Sequence, residues 1–276
     1  MLFFETRLSQ SGKLSCNSCH LLDKYGVDGE VLSTGHDNQK GTRNSPTVYN
    51  AAGHFAQFWD GRSATVEEQA MGPVMNPVEM AMPSPDQVEK VLRGIPGYVK
   101  AFKAAFPGQA QPVTMPNLAN ALGAFERRLI TPSRFDRFVR GQRNALTDQE
   151  KAGLRDFVAS GCKSCHHGPF IGGESFQKAG LMHAWPNQKD QGRFEVTKNP
   201  NDRFVFKVPS LRNIAMTAPY FHDGSARTLP EAVRRMAELQ TGKKIPDSQI
   251  YSIIAWLNTL TGDLPKDLIQ PPVLPK

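Results

Sequence analysis

The sequence predicts a mainly α-helical protein built as two similar halves, with long loops and little β structure. Three observations predict it. Apolar residues recur at helical spacing behind capping signals, strand-like alternation is confined to Phe204-Val205-Phe206, and a stretch of the first half returns in the second at a constant offset.

The helical signals run in order along the chain. Ser84-Pro85-Asp86-Gln87 reads as a capping box with proline at the first helical position, and Gly94 closes that helix. Pro96 to Phe106 reads as another short helix. Pro116 to Ile130 places Leu118, Leu122, Phe125 and Leu129 on one face. Thr147-Asp148-Gln149-Glu150 caps a helix that ends at Gly161. Asp247 to Leu260 repeats the pattern with Ile250, Ile253, Ile254 and Leu257. Leu264 to Lys276 is a proline-rich, extended tail. The 21 prolines and 23 glycines predict much loop between these elements.

The repeat pairs Pro46 and Asn50 with Pro209 and Asn213. Without a gap it then pairs Phe58, Asp60 and Gly61 with Phe221, Asp223 and Gly224. Thr65 and Glu68 pair with Thr228 and Glu231, a capping box in both halves. One offset of 163 residues therefore links seven identities. Each half reads as one unit that enters a cysteine motif, wraps a loop and ends on a helix, with the boundary at Thr131-Pro132.

Composition narrows the class. Hydrophobic residues make up 39% and charged residues 21%, and no run approaches the roughly 18 apolar residues of a membrane span. The net charge is +7 and the isoelectric point about 9.3. Lysine and arginine are scattered, with Arg127-Arg128 and Arg234-Arg235 the densest pairs. That distribution speaks against nucleic acid and for solvation with some steering of a partner.

All four cysteines fall in two motifs, Cys16-Asn17-Ser18-Cys19-His20 and Cys162-Lys163-Ser164-Cys165-His166. Two thioether bonds pin a porphyrin edge, and the adjacent imidazole then ligates the iron from the same side. The motifs predict two covalently attached haem c groups. The alternative is a zinc site assembled across the two motifs from thiolates and imidazoles. A disulfide framework fits poorly at this length.

The second axial ligand decides whether a haem passes electrons or does chemistry. Met236, on the helix begun by Thr228 and beside Leu229, Val233 and Leu239, is the candidate for the second haem; taken alone it reads as core packing. His36, in the polar loop Ser33 to Gly41 with glycine on both sides, is the candidate for the first and could swing in and out; taken alone it reads as a solvated residue. Glu79 is the candidate acid/base, because splitting a peroxide O–O bond needs a group that takes a proton from one oxygen and gives it to the other. Gln69 offers an amide to orient the peroxide.

These residues resemble the bacterial di-haem cytochrome c peroxidase family nearly end to end. The resemblance rests on Leu2-Phe3-Phe4-Glu5-Thr6-Arg7-Leu8-Ser9, Gly35-His36, Lys40 to Thr47, Phe58-Trp59-Asp60-Gly61-Arg62 and Val78-Glu79-Met80. It continues with Gly161 to His166, Val208 to Asn213, Ala218 to Gly224 and Leu260-Thr261-Gly262-Asp263. It implies two cytochrome c-like domains, a peroxidatic one at 1–130 and an electron-transfer one at 131–262, with 263–276 packing back on the first. The N-terminal haem, with proximal His20, would be the peroxidatic one. His36 would be its removable distal ligand, and Glu79 and Gln69 its catalytic distal residues. The C-terminal haem, with His166 and Met236, would receive electrons, and Trp59 would lie between the haems. A calcium ion between the domains would take the Asn44 side chain and the carbonyls of Thr217 and Pro219. His222, the repeat partner of Trp59, is placed near the interdomain region, whereas His54, His167 and His183 read as surface or hydrogen-bonded histidines.

The expected activity is periplasmic reduction of hydrogen peroxide to water by electrons from a small cytochrome c or cupredoxin, in a homodimer. Met1-Leu2-Phe3-Phe4 is too short for a signal peptide, so the chain reads as a trimmed product of an exported protein. The alternatives are a di-haem electron carrier without chemistry and a MauG-like enzyme that oxidises side chains of a partner protein. The latter is expected to carry Tyr in place of Met236.

Overall fold

The computed structural model describes residues 1–276. Ten helices dominate it. In chain order they are α1 (Cys16–Cys19), α2 (Val66–Met75), α3 (Pro85–Arg93), α4 (Pro96–Ala105), α5 (Met115–Glu126), α6 (Arg134–Val139), α7 (Asp148–Ala159), α8 (Phe194–Thr197), α9 (Leu229–Thr241) and α10 (Asp247–Asn258). The only sheet pairs β1 (Phe176–Lys178) with β2 (Val205–Lys207), antiparallel, with Gln177 opposite Phe206. The strand begins one residue later than its sequence suggests, because Phe204 is left-handed (φ 61°) and cannot continue an extended run.

Capping explains where the main helices start. The hydroxyls of Thr65, Ser84, Thr114, Thr147 and Thr228 each accept a bond from the backbone amide three residues on. Glu150 completes a reciprocal box by accepting from the Thr147 amide. In the repeated pair the return contact lands one residue earlier than expected. Glu68 accepts from the Ala64 amide and Glu231 from the Arg227 amide.

Two hydrophobic cores form. The larger is built from the first half, with Leu8, Leu22, Tyr49, Leu92, Tyr98, Leu118, Leu122 and Leu129 fully enclosed, and it also takes Leu268 from the tail. Arg7 Nη2 donates to the Pro275 carbonyl (2.8 Å) and the Gly97 amide donates to the Lys276 carbonyl (3.3 Å), so the tail lies along the first core. The smaller core joins α7 and α10 around Trp256, which packs on Phe157 at 4.5 Å and Phe135 at 5.6 Å between ring centroids.

The repeat is a repeat of backbone shape. Asn50 and Asn213 are both left-handed (φ 62° and 61°), as are Phe58 and Phe221 (66° and 75°) and Gly61 and Gly224 (66° and 60°). The bridge Gln57 to Ser63 has its counterpart in Tyr220 to Ala226. The two asparagines meet at one point: both Nδ2 groups donate to Thr131 Oγ1, at 2.8 and 2.9 Å. Asn50 Oδ1 accepts the Thr131 amide (3.1 Å) and Asn213 Oδ1 accepts the Gly262 amide (3.0 Å).

Asn213→Ala strands the Gly262 amide and removes a donor from Thr131 in a fully buried position. Each unmet buried group costs ~1–3 kcal/mol, so the loss of stability should be about 2–4 kcal/mol in denaturant unfolding of the holoprotein.

Candidate functional site

The first cysteine motif is a single helical turn. The Ser15 amide donates to Ser18 Oγ at its start (3.0 Å), and His20 leaves the helix at φ −119°. His20 Nδ1 lies 3.2 Å from the Gly26 carbonyl. A carbonyl only accepts, so Nδ1 carries the proton and Nε2 keeps its lone pair for a metal. The segment presenting Gly26 is pinned by Thr47 Oγ1 donating to the Tyr25 carbonyl (2.6 Å) and Tyr49 Oη donating to the Leu22 carbonyl (2.7 Å). Burial lowers the His20 pKa and keeps the ring neutral.

The second motif has matching surroundings. His20 lies against the Pro46 carbonyl and His166 against the Pro209 carbonyl, partners in the repeat. Burial brings His166 down to about 4, so it too is neutral. None of the four cysteines is in a disulfide, so every sulfur is available for attachment. Burial raises Cys16 to about 12 and both Cys19 and Cys162 to about 11. Neutral S–H groups beside a neutral imidazole are the reactants for thioether attachment of haem. No cluster of three or more His, Cys, Asp or Glu side chains is close enough to hold a metal ion, so the two motifs do not converge on a zinc site.

A continuous cavity of about 380 Å³ runs from Cys162, Cys165 and His166 to Met236 on α9 and on to the contact between the halves. Its wall is largely apolar and contains Lys178 and Lys207 but no carboxylate. Lys207 is 8% exposed, its ammonium has no hydrogen-bond partner in the protein, and burial lowers it to about 8. An apolar slot with unpaired positive charge suits a porphyrin, which is flat, apolar and carries two carboxylates. His54 corrects the expectation of a surface or hydrogen-bonded histidine. It lines this cavity, its buried Nε2 has no partner, and burial brings its pKa to about 3. His167 and His183 are exposed, and His167 pairs with Glu174 at 3.4 Å.

On the first half, His36 and Glu79 occupy neighbouring loops. The His36 amide donates to the carbonyls of Val78 and Glu79, both at 2.9 Å. The His36 loop closes on itself through the Gly35 amide to the Gln39 carbonyl and the Gly41 amide to the Ser33 carbonyl, with Asp37 and Asn38 left-handed at its tip. Gly35 serves close approach rather than swing: a Cβ there would lie 2.0 Å from the Val78 carbonyl oxygen. His36 Nδ1 is buried without a partner, while Nε2 faces Asp37 at 3.3 Å.

Glu79 is half-buried, and burial raises its pKa against the lowering effects of Asn76 and Arg62. Asn76 Nδ2 donates to Glu79 Oε1 (2.8 Å), and Asn76 Oδ1 accepts the Val78 amide (3.0 Å), so one side chain orients both the acid and its loop. Asn76 escaped the sequence reading because its Asx turn depends on the end of α2. The charge of Glu79 also raises Cys16 and Cys19, as the smallest of the effects on each. Gln69 does not bond to Glu79. It sits on α2 with Pro73 and Asn76 at i+4 and i+7, hence on the face over which the Glu79 loop is laid. The Met80 amide bonds to the Pro73 carbonyl (3.1 Å) to hold that loop in place.

Trp59 lines the cavity where the halves meet, and its Nε1 donates to the Asn44 carbonyl (2.9 Å). Its ring meets buried His222 edge-on at 6.3 Å, and His222 stacks on Phe206 at 4.1 Å. Trp185, which the sequence reading passed over, packs on His222 at 5.4 Å and donates to Asp223 (3.0 Å). Asn44, Thr217 and Pro219 line the same cavity. Asn44 Nδ2 is committed to the carbonyls of Glu30 (2.9 Å) and Val31 (3.3 Å), which leaves Oδ1 as the free end of its amide.

The family model for di-haem cytochrome c peroxidase matches residues 1–144. A cytochrome c551 peroxidase from Nitrosomonas europaea is 46% identical over all of this chain and 81% of its own length. One from Pseudomonas aeruginosa is 45% identical over 99% of this chain and 80% of its own. Among solved structures, a MauG-like protein associated with microbial copper homeostasis superposes with a TM-score of 0.85 at 29% identity, covering 98% of this chain and 89% of that one.

Gly35→Ala should break the two bonds from the His36 amide while leaving both cores intact. Amide hydrogen exchange should accelerate at His36 and Gln39 with little change in α7 and α10. Unchanged protection at His36 would show that the loop tolerates the added carbon.

Proposed function

The chain belongs to the di-haem cytochrome c peroxidase family and is by class a cytochrome-c peroxidase; from that premise we propose that it reduces hydrogen peroxide to water with electrons from a small cytochrome c or cupredoxin. The observation that carries the proposal is Glu79, a half-buried carboxyl held by Asn76 and electrostatically coupled to the cysteines of the first attachment motif. Cys162, Cys165, His166 and Met236 would hold one haem c and Cys16, Cys19 and His20 the other, and the pair would supply the one-electron redox chemistry, with electron entry at the second and peroxide reduction at the first.

The protein's own groups do the rest. Asn76 occupies Glu79 Oε1, so Oε2 is the atom that takes a proton from one peroxide oxygen and returns it to the other. Gln69 offers an unpaired amide from the face of α2 that backs this loop. His36 closes the N-terminal site in the resting protein and withdraws to admit peroxide; its buried, unpartnered Nδ1 supports a ring placed for a ligand outside the protein's own bonds. Trp59 is the aromatic contact between the two sites, supported by its place in the shared cavity.

Residues 1–130 and 131–262 form the two domains of this reading, and 263–276 returns to the first; separate hydrophobic cores and the bonds of Pro275 and Lys276 support it. Calcium is assigned to Asn44 Oδ1 and the carbonyls of Thr217 and Pro219. Hard oxygen donors and an Asn44 amide already oriented by Glu30 and Val31 support that choice. A periplasmic location follows from the need to export a chain for haem attachment.

Steady-state peroxide turnover with a reduced cytochrome donor tests the proposal. Glu79→Gln should lower kcat by about 10²–10⁴-fold with both haems retained; turnover at the wild-type rate would remove Glu79 from the proton step. Asn76→Ala takes away a bond that lowers the Glu79 pKa, so that pKa rises further. The ionised form accepts the proton, so the acid limb of the pH–rate profile should move to higher pH.

A further inference from the structure

We propose that the surface over Cys162 and Cys165 docks an acidic small redox protein, whose apolar centre seats on Leu181 and Met182 and whose carboxylates meet Lys163, Lys178, Lys243 and Lys244. The inference rests on electron entry at the second attachment site, and goes beyond it by naming the charge and shape of the donor's contact face.

Three segments meet at this surface. The Leu181 amide donates to Gln240 Oε1 (3.0 Å), and Gln240 Nε2 donates back to the Lys178 carbonyl (3.0 Å). The Met182 amide donates to the Leu239 carbonyl (2.9 Å). Gly242 then closes α9 in the left-handed region (φ 68°), and a Cβ there would lie 3.5 Å from Met182 Cε, so the thioether lies against bare backbone. On the other side Lys243 Nζ donates to the Ala159 carbonyl (3.2 Å), at the end of α7 just before Cys162. Lys178, Leu181, Gln240 and Thr241 also line the cavity that reaches Cys162, Cys165 and His166, so the surface is the rim of that cavity.

Its makeup is that of a contact face. Leu181 and Met182 are 55% and 58% exposed although both are large and apolar. Protein contacts place such a spot inside a polar rim. The rim here has one sign. Lys163, Lys178, Lys243 and Lys244 are all exposed, and the one lysine of the chain in an ion pair is Lys151, with Asp148. Against them the segments 158–165, 178–184 and 236–244 carry a single acid, Glu238. Unpaired positive charge around an apolar centre selects a partner with the opposite arrangement and speeds its approach. Reduction of one peroxide takes two electrons, so a one-electron donor must dock, be oxidised and leave twice per turnover. Flexible, solvated ammonium groups suit such brief contacts, because they steer the encounter without locking it. A second copy of this chain is disfavoured as the occupant, since it brings a net charge of +7 and the same four lysines.

Two small cytochromes c of opposite net charge, one acidic and one basic, are the probes. Calorimetry with the oxidised form of each measures binding to the holoenzyme, and peroxide turnover with the reduced form measures kcat/KM. The acidic cytochrome should bind the more tightly, and its kcat/KM should fall about tenfold as ionic strength rises from ~10 to ~150 mM. Lys244→Glu should lower that kcat/KM by about tenfold at low salt with kcat unchanged, whereas Lys103→Glu, the same charge change on α4, should leave it near wild type. Met182→Ser should raise KM and keep the salt dependence. An uncharged quinol as reductant should be turned over equally by all four proteins. Failure of the quinol in the wild type would sink the peroxidase reading and leave calorimetry to judge the surface. Equal binding of the two cytochromes overturns the proposal, as do equal effects of Lys244→Glu and Lys103→Glu. A dimer in sedimentation that Met182→Ser splits would give the surface to a second copy and overturn it too.

Discussion

The two halves are held in register by one buried hydroxyl. Thr131 Oγ1 receives an N–H from Asn50 and another from Asn213, and all three residues are at most 5% exposed. Each asparagine is also the left-handed residue at the start of its repeat, and its own amide reaches the end of a helix. Asn50 bonds to the Leu129 carbonyl and Asn213 to the Leu260 carbonyl. One point therefore fixes the end of α5, the end of α10 and the start of both wrapping loops. Any of these buried groups left unpaired would cost ~1–3 kcal/mol, so the three side chains specify one alignment of the halves.

From that point the chain runs in each half through a matching turn to the functional groups. Phe58 and Phe221 are left-handed at the same repeat position, and the next residues are Trp59 and His222. The shared backbone thus delivers two different rings to one place between the halves, 6.3 Å apart and nearly perpendicular. Asn44 is tied to both, because its carbonyl accepts from Trp59 and its amide donates to the His222 carbonyl. Arg43 next to it binds Asp60 of its own half and Asp190 of the other. These charged contacts are mostly enclosed, so they specify alignment more than they add stability.

Much of this was legible in the sequence because its causes are local. Capping residues, helical spacing and the cysteine motifs act over a few residues, and the gapless repeat records a backbone path that demands asparagine and glycine at set positions. Glu79, His36 and Met236 could be named as candidates from their settings, but each also had a bland reading that only the family resemblance outweighed. What stayed hidden depends on residues far apart in sequence. The burial of His54 requires Phe170 and Gly173, and the anchoring of Glu79 requires the end of α2. Gly35 shows the same limit. Its spacing suggests flexibility, whereas the contact with Val78 demands a missing side chain.

The two attachment sites share geometry and differ in charge. Cys16 and Cys19 are surrounded by carboxyls, with Glu79, Glu126 and Asp28 all raising their thiols. The cavity at Cys162 and Cys165 has no carboxylate and holds Lys207 without a partner, and Lys243 lowers the Cys162 thiol. A ferric haem carries one more positive charge than a ferrous one. Negative surroundings therefore favour the oxidised state at the first site, and positive surroundings favour the reduced state at the second. A thioether ligand from Met236, which lines that cavity, would push the second site the same way. By charge alone, a haem at the second site would hold an electron more tightly than one at the first, so a single backbone plan repeated twice offers two sites that differ in the charge of their surroundings.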